Sequence, residues 1–224
     1  MNDLSKFKVL IAVPCQRTVC TEFFISMMHL ANNGNTVMAM ECNSLVYDAR
    51  NNLTLKAIDE VHADYIMWID SDMTFEEDSM LTLLKDAVDN DLSYVTGLTF
   101  RRQFPTAPTI AKQLLWFQEP DTSIIHGAAE IYKDYPKDTL FEIAGSGLAF
   151  TLVKVSAIAE TAAAYKMSPY EPLPNLSEDY SFCYRLKSRG VKMYCDSRVK
   201  IGHVGNVIFN EETWLKQQRE GDEK

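Results

Sequence analysis

Apolar and polar positions along the first hundred residues alternate between two periods. Lys8–Val13 is a β-rich run that ends at Pro14. Thr21–Asn32 sets Phe23, Phe24, Met27, Met28 and Ala31 at helical spacing and stops at Asn33-Gly34. Thr36–Met40 reads as a second strand and Leu45–Val61 as a second helix. Tyr65–Ile69 is apolar throughout, as a strand covered on both faces should be. Thr74-Phe75-Glu76-Glu77 matches a capping box and predicts a helix from there to about Asp89. Tyr94–Leu98 is a fourth strand. Strand and helix in alternation predict a parallel sheet with helices on its faces.

The regularity breaks at Arg101–Pro136, which reads as loops and short strands. Phe141–Leu152 is strand-like and contains Gly145, Ser146 and Gly147; a helix near Val155–Tyr165 follows. Pro169, Pro172 and Pro174 mark a rigid loop. Ser177 can cap a helix that starts with Glu178 and Asp179 and ends at Gly190. Val191–Cys195 and Val199–Ile201 read as strands, and a polar helix at about Glu211–Glu220 precedes a frayed end. The whole is expected to be one domain over 1–224, with a nucleotide-type half at 7–100, a less regular half at 101–205 and a helix and tail at 206–224.

Composition narrows the classes. The 224 residues are 46% hydrophobic and 24% charged, which excludes disorder over most of the length. Net charge is −9, the wrong sign for a chain that lives on nucleic-acid phosphates, so no nucleic acid is expected. The apolar run Val9–Val13 is far short of the ~20 residues of a bilayer span, so no integral membrane segment is expected. Met1–Phe7 is polar and lacks the apolar middle of a signal peptide. The five cysteines are scattered, with no CxxC pair, and read as free thiols in a cytoplasmic setting. Nothing in the composition bears on oligomeric state.

The candidate chemistry starts at Asp70-Ser71-Asp72, directly after the buried strand Tyr65–Ile69. In open α/β sheets ligands bind outside the carboxyl ends of the strands. Two carboxylates one residue apart converge around a cation, and hard oxygen donors suit Mn2+ or Mg2+. An acidic turn ahead of a helix is the plainer alternative. Glu178-Asp179 is either a helix N-terminus stabilised by its dipole or an acid pair for proton transfer. His203 lies in Ile201–Gly205, where flanking glycines permit close backbone approach.

In this order and spacing the motifs resemble those of the GT-A glycosyltransferases, near the large family 2 group, over roughly residues 7–205. The matching pieces are Val9–Pro14, Ala49-Arg50-Asn51, Asp70-Ser71-Asp72, Gly145–Leu148, Ser177-Glu178-Asp179 with Arg185 and Gly190, and His203. The resemblance implies an α/β GT-A (Rossmann-like) fold with a mostly parallel central sheet and a less regular acceptor half. It implies a metal-dependent transfer from a nucleotide sugar, UDP-sugar favoured, to an acceptor hydroxyl of unidentified class, with inversion. Pro14, Glu41, Arg50, Asp70, Ser71 and Asp72 would bind donor. Asp70, Asp72 and His203 would hold Mn2+ or Mg2+. Gly145, Ser146 and Gly147 would border the acceptor, with Asp179 as base and Glu178 beside it. Arg101 and Arg102, just past the fourth strand, read either as a solvated basic pair or as help in neutralising the leaving group. Many relatives carry Gly-Gly or Gly-Ala where Gly145-Ser146-Gly147 stands, and 101–136 matches nothing in the family.

Two other classes remain open at this point. Asp70–Thr74 also fits the DxDxT pattern of haloacid-dehalogenase-type phosphatases, with Asp70 as nucleophile. Against it, two strand–helix units precede the motif, which normally ends a domain's first strand. A non-catalytic nucleotide-sugar- or carbohydrate-binding module would be favoured if Asp72 or Asp179 proved dispensable.

Overall fold

The structure is a computed structural model that describes residues 2–42, 44–118 and 125–222. Seven strands form the central sheet: β1 (Val9–Cys15), β2 (Thr36–Cys42), β3 (Tyr65–Ile69), β5 (Tyr94–Leu98), β8 (Leu140–Ile143), β10 (Phe150–Lys154) and β11 (Met193–Lys200). Three short or peripheral strands, β4 (Met73–Thr74), β12 (Gly202–Val204) and β13 (Ile208–Phe209), make a small second sheet. A third sheet joins β6 (Ile110–Gln118), β7 (Ile125–Ile131) and β9 (Gly145–Ser146). The helices are α1 (Thr21–His29), α2 (Val46–Leu55), α3 (Ser79–Asp89), α4 (Val155–Tyr165), α5 (Glu178–Ser188) and α6 (Glu211–Asp222).

The order across the central sheet is β2-β1-β3-β10-β5-β11-β8. Strands β1, β2 and β3 are parallel, as are β5 and β11, while β10 and β8 run against their neighbours. The sheet is therefore mostly parallel, as expected, but not wholly so. The correction concerns β10, which lies antiparallel between β3 and β5. An apolar strand buried on both faces carries no mark of its direction, because side-chain alternation reads the same both ways.

Alternation along the strands divides the core in two. Leu10, Ala12, Ile66 and Trp68 point to the side covered by Leu53 and Ala57 and by Phe182 and Leu186 of α5. Val9, Ile11, Val13, Met67 and Ile69 point to the side covered by Met80, Leu83 and Leu84 of α3. Residues from both 7–100 and 101–205 build the same sheet.

Three local expectations need correcting. The capping box at Thr74 does not form. Met73 and Thr74 pair instead with His203 and Gly202, and α3 begins at Ser79 with Asp78 at its N-cap and no side-chain cap bond. Backbone pairing to a distant strand has displaced a local cap. The second helix ends at Leu55 and continues as a π-helical turn, Lys56–Val61, closed by His62 in the left-handed region. The stretch 101–136 holds a long antiparallel hairpin, β6–β7. Its period was hidden because Leu115 and Phe117 are apolar yet exposed. Within that stretch 119–124, and at the tail 223–224, the sequence reading falls outside the described residues. Among the described residues no helix is long and apolar enough to cross a membrane.

Candidate active site

Strand ends position the motifs. β3 runs buried to Ile69, and the Asp70 N–H donates to the Ala149 carbonyl at 2.9 Å, just ahead of β10. A turn closed by Met73 N–H on Asp70 C=O (3.2 Å) carries Ser71 and Asp72 outward. The Val204 N–H then donates to the Asp72 carbonyl at 2.8 Å, which draws β12 and His203 alongside. Gly202 is needed here, because any side chain would strike Thr74 across the β4–β12 pair.

A cavity of about 360 Å3 opens between the ends of β1 and β3 and the start of α2. Pro14, Asp70, Ser71 and Asp72 all line it, together with Gln16, Ser44 and Leu45, which sequence reasoning did not single out. Gln16 and Ser44 lie in loops with no periodic signal to mark them, and Leu45 is the N-cap of α2, at the edge of its predicted helix. A larger cavity, about 870 Å3, lies elsewhere, between α6 and the β4–β12–β13 sheet, and none of the candidate donor, metal or base residues lines it. The smaller one holds the strand-end acids and is the site favoured by its chemistry.

Arg50 lies behind this cavity, 2% exposed. Its Nη2 donates to Asp70 Oδ1 at 3.0 Å and its Nε to Glu178 Oε1 at 3.3 Å. Its guanidinium also stacks over Trp68, 5.2 Å from the ring centroid. Burial disfavours the charge of Arg50, but Asp70, Glu178 and Asp179 outweigh that and hold its proton more tightly than usual. Burial also pushes the Asp70 carboxyl above its ordinary value despite Arg50. Glu41 does not line the cavity. It accepts from Ser44 Oγ at 3.1 Å and Asn52 Nδ2 at 3.3 Å, at the foot of the same loop.

Asp72 and His203 meet directly. His203 Nδ1 lies 2.9 Å from the Phe100 carbonyl, which can only accept, so Nδ1 carries the hydrogen. Nε2 then faces Asp72 Oδ2 at 3.2 Å. Such a carbonyl contact fixes the tautomer of metal-binding histidines and leaves Nε2 as donor atom. Arg102 Nη1 sits on the same Asp72 Oδ2 at 2.6 Å, a positive group where a cation would go. The carboxylate suits Mn2+ or Mg2+, and the imidazole beside it favours Mn2+ of the two. Asp70 is turned toward Arg50, and among the described residues no three such side chains converge. The three-residue set Asp70, Asp72 and His203 is thus brought together only as far as the Asp72–His203 pair.

Ser177 occupies the N-cap of α5 but makes no cap bond to the backbone. Its hydroxyl goes to Asp179 Oδ1, which also accepts from the Tyr180 N–H at 2.7 Å. Tyr180 OH donates in turn to the Thr109 carbonyl at 2.7 Å. Oδ1 is therefore held, and Oδ2 faces Gly147, where an added Cβ would lie 3.5 Å away. Burial, then the Glu178 charge, pushes the Asp179 carboxyl up to about 6. Gly145 and Ser146 do not border this space. Ser146 is fully buried with its hydroxyl 2.7 Å from Tyr94 OH, and Gly145 packs against Cys183. Only Gly147 of the three reaches the acid.

No protein-family model matches the chain, and no curated protein sequence matches it either. Solved structures do match. "A197 from STIV" aligns with a TM-score of 0.61 at 14% identity, over 88% of this chain and 86% of that one. GalNAc-T7, crystallised with UDP, GalNAc and Mn2+, aligns with a TM-score of 0.60 at 9% identity, over 89% of this chain. The fold is that of the GT-A glycosyltransferases. This chain spans 44% of the GalNAc-T7 chain, so the likeness is to part of that protein. In the GT-A fold seen here, β10, β11 and β8 complete a sheet whose first three strands carry the cavity.

Proposed function

We propose that the chain is a metal-dependent glycosyltransferase that moves a sugar from a nucleotide-sugar donor, UDP-sugar favoured, to an acceptor hydroxyl with inversion, as one domain over 1–224. The observation that carries the reading is Arg50, whose one guanidinium ties Asp70 of the donor cavity to Glu178, next to Asp179. The donor cavity and the acid pair that includes the candidate base are thereby linked through a single side chain. The Mn2+ and UDP of GalNAc-T7 support the choice of cofactor and donor by analogy of fold.

Asp72 and His203 would hold Mn2+ or Mg2+, with Asp70 behind them; the ion, when bound, neutralises charge on the departing diphosphate. Pro14, Ser71 and the loop from Ser44 bound the nucleotide's space. Arg102 adds a positive charge at the same edge. Asp179 takes the acceptor proton on Oδ2, the oxygen that has no hydrogen-bond partner among the described residues. A carboxylate whose pKa is about 6 is ionised at neutral pH yet basic enough to accept. Gly147 keeps the approach to Oδ2 open.

The test is a thermal-shift screen with UDP-, GDP- and dTDP-sugars, each with and without Mn2+, followed by assay for released nucleoside diphosphate. UDP-sugar stabilisation that depends on Mn2+, with slow UDP release into water, is expected. Phosphate release from simple esters with an aspartyl-phosphate at Asp70 would overturn the proposal in favour of a phosphatase. Donor binding by the wild-type protein with no turnover under any acceptor would reduce it to a binding module.

A further inference from the structure

Cys15 ends β1 and Cys42 ends β2, and they are registered partners in that parallel pair. Neighbouring strands lie about 4.8 Å apart. Disulfides span Cα separations of about 4.4–6.8 Å, so the backbone spacing already suits one. The two Sγ atoms stand 2.8 Å apart, thiol on thiol. The remaining cysteines are placed differently. Cys183 and Cys195 are buried, and Cys20 Sγ serves as N-cap acceptor for Phe23 N–H at 3.4 Å.

The pair also sits where a cross-link would matter. β2 is an edge strand, hydrogen-bonded to β1 and to no other strand among the described residues. Val37, Met38 and Met40 on it are exposed, so packing adds little. Cys15 lines the strand-end cavity, and the loop that leaves β2 forms its opposite wall. We propose that Cys15 and Cys42 are a redox-active thiol pair which a low-molecular-weight disulfide converts to a protein disulfide, stapling β2 to β1 at the rim of that cavity.

The chemistry balances as two thiol–disulfide exchanges. The exposed Cys42 attacks, as thiolate, one sulfur of the oxidant RSSR, forming a mixed Cys42–S–S–R bond and releasing RS−. Cys15 then attacks the Cys42 sulfur and expels the second RS−. Both thiol protons end on two RSH, and the pair's two electrons reduce the oxidant. Cys42 is the entry point because it is exposed, whereas the Cys15 thiol is half-buried and pushed up to about 12 by burial, by its contact with Cys42 and by the charge of Glu41. Once Cys42 is in the mixed disulfide, its contribution to that shift is gone and Cys15 closes the bond. A reducing thiol pool reverses both steps.

The test uses the full chain titrated with glutathione disulfide, then alkylation and peptide mapping. Free thiols should fall from five to three, with Cys15 linked to Cys42. Cross-linking a loop of this length constrains the unfolded chain, so Tm should rise by several degrees and return on adding dithiothreitol. Cys42→Ser should lose both effects. A stable glutathione adduct on Cys42 with Cys15 still free, a link to Cys20 instead, an unchanged Tm despite closure, or the same Tm rise in Cys42→Ser would each overturn the proposal. A parallel UDP titration keeps the outcomes separate. Failure of UDP to bind either redox form counts against the transferase reading and leaves the thiol pair standing.

Discussion

Arg50 donates to Asp70 at 3.0 Å from a position almost sealed from solvent, and the same guanidinium reaches Glu178 at 3.3 Å. Removing one partner of a buried ion pair leaves the other charge uncompensated, which costs about 3–5 kcal/mol. Arg50→Met should therefore lower stability on that scale, read as a lower urea midpoint. Arg50→Lys should recover only part of it, because an ammonium cannot bridge two carboxylates with the fixed fork of a guanidinium.

Asp72 is partly exposed, and its partners Arg102 and His203 are solvent-accessible too. Exposed pairs contribute about 0–1 kcal/mol, so Asp72→Ala should fold normally. It should abolish turnover and the Mn2+-dependent part of UDP stabilisation. Chelation by EDTA should do the same to the wild-type protein. Activity that survives EDTA would remove the metal from the mechanism.

Asp179 has its pKa raised from 3.8 to about 6. As a base it must be ionised, so kcat should plateau above pH 6 and fall about tenfold per unit below it. Asp179→Asn should lower kcat by ~10²–10⁴-fold with donor Kd almost unchanged. The stability sign is opposite. A raised pKa means the folded state prefers the proton; that favourable contribution is complete below about pH 4 and lost as pH rises through 6. Asp179→Asn should therefore be more stable than wild type at pH 8, by on the order of 1 kcal/mol, and equal to it near pH 4. Thermal melts across pH would show whether the two curves converge.

Gly147 and Gly145 should respond differently to one methyl group. A Cβ at 147 meets Asp179 Oδ2 and Thr109 at 3.5 Å, ordinary contact distance. Gly147→Ala should keep its Tm and lose activity, with KM for the acceptor rising more than KM for the donor. A Cβ at 145 meets Cys183 Cβ at 2.8 Å, inside contact distance. Gly145→Ala should lose stability, by about 1–3 kcal/mol for overpacking. Equal Tm losses in both would show that Gly147 is a packing residue.

The strands that bear the cavity were legible because their signals are local. Tyr65–Ile69 is an unbroken apolar run and Tyr94–Leu98 a short β-rich one, and both are strands over those same residues. The helix at Val155–Tyr165 likewise matches its periodicity. What sequence alone does not carry is partnership. Nothing near Thr74 announces that Gly202 will take its backbone in place of a helix cap. Nothing in Gly145 and Ser146 separates them from Gly147, yet two are packed inside and one faces an acid. The Asp70 motif was visible, but its turn toward Arg50 depends on a helix twenty residues earlier. The Phe100 carbonyl that orients His203 is a backbone atom, which no residue identity encodes.

The antiparallel strand β10 has a consequence for how the chain is made. Among the described residues β5 pairs with β10 and β11, and β3 with β1 and β10. A nascent chain that has emerged only as far as residue 100 therefore holds β5 with no hydrogen-bonded neighbour and β3 with one raw edge. The Asp70 amide also waits for the Ala149 carbonyl. The ribosome must deliver half as many residues again before the acidic loop can settle. Truncations between 100 and 150 should aggregate rather than yield a nucleotide-binding fragment, since unpaired apolar edges recruit other chains.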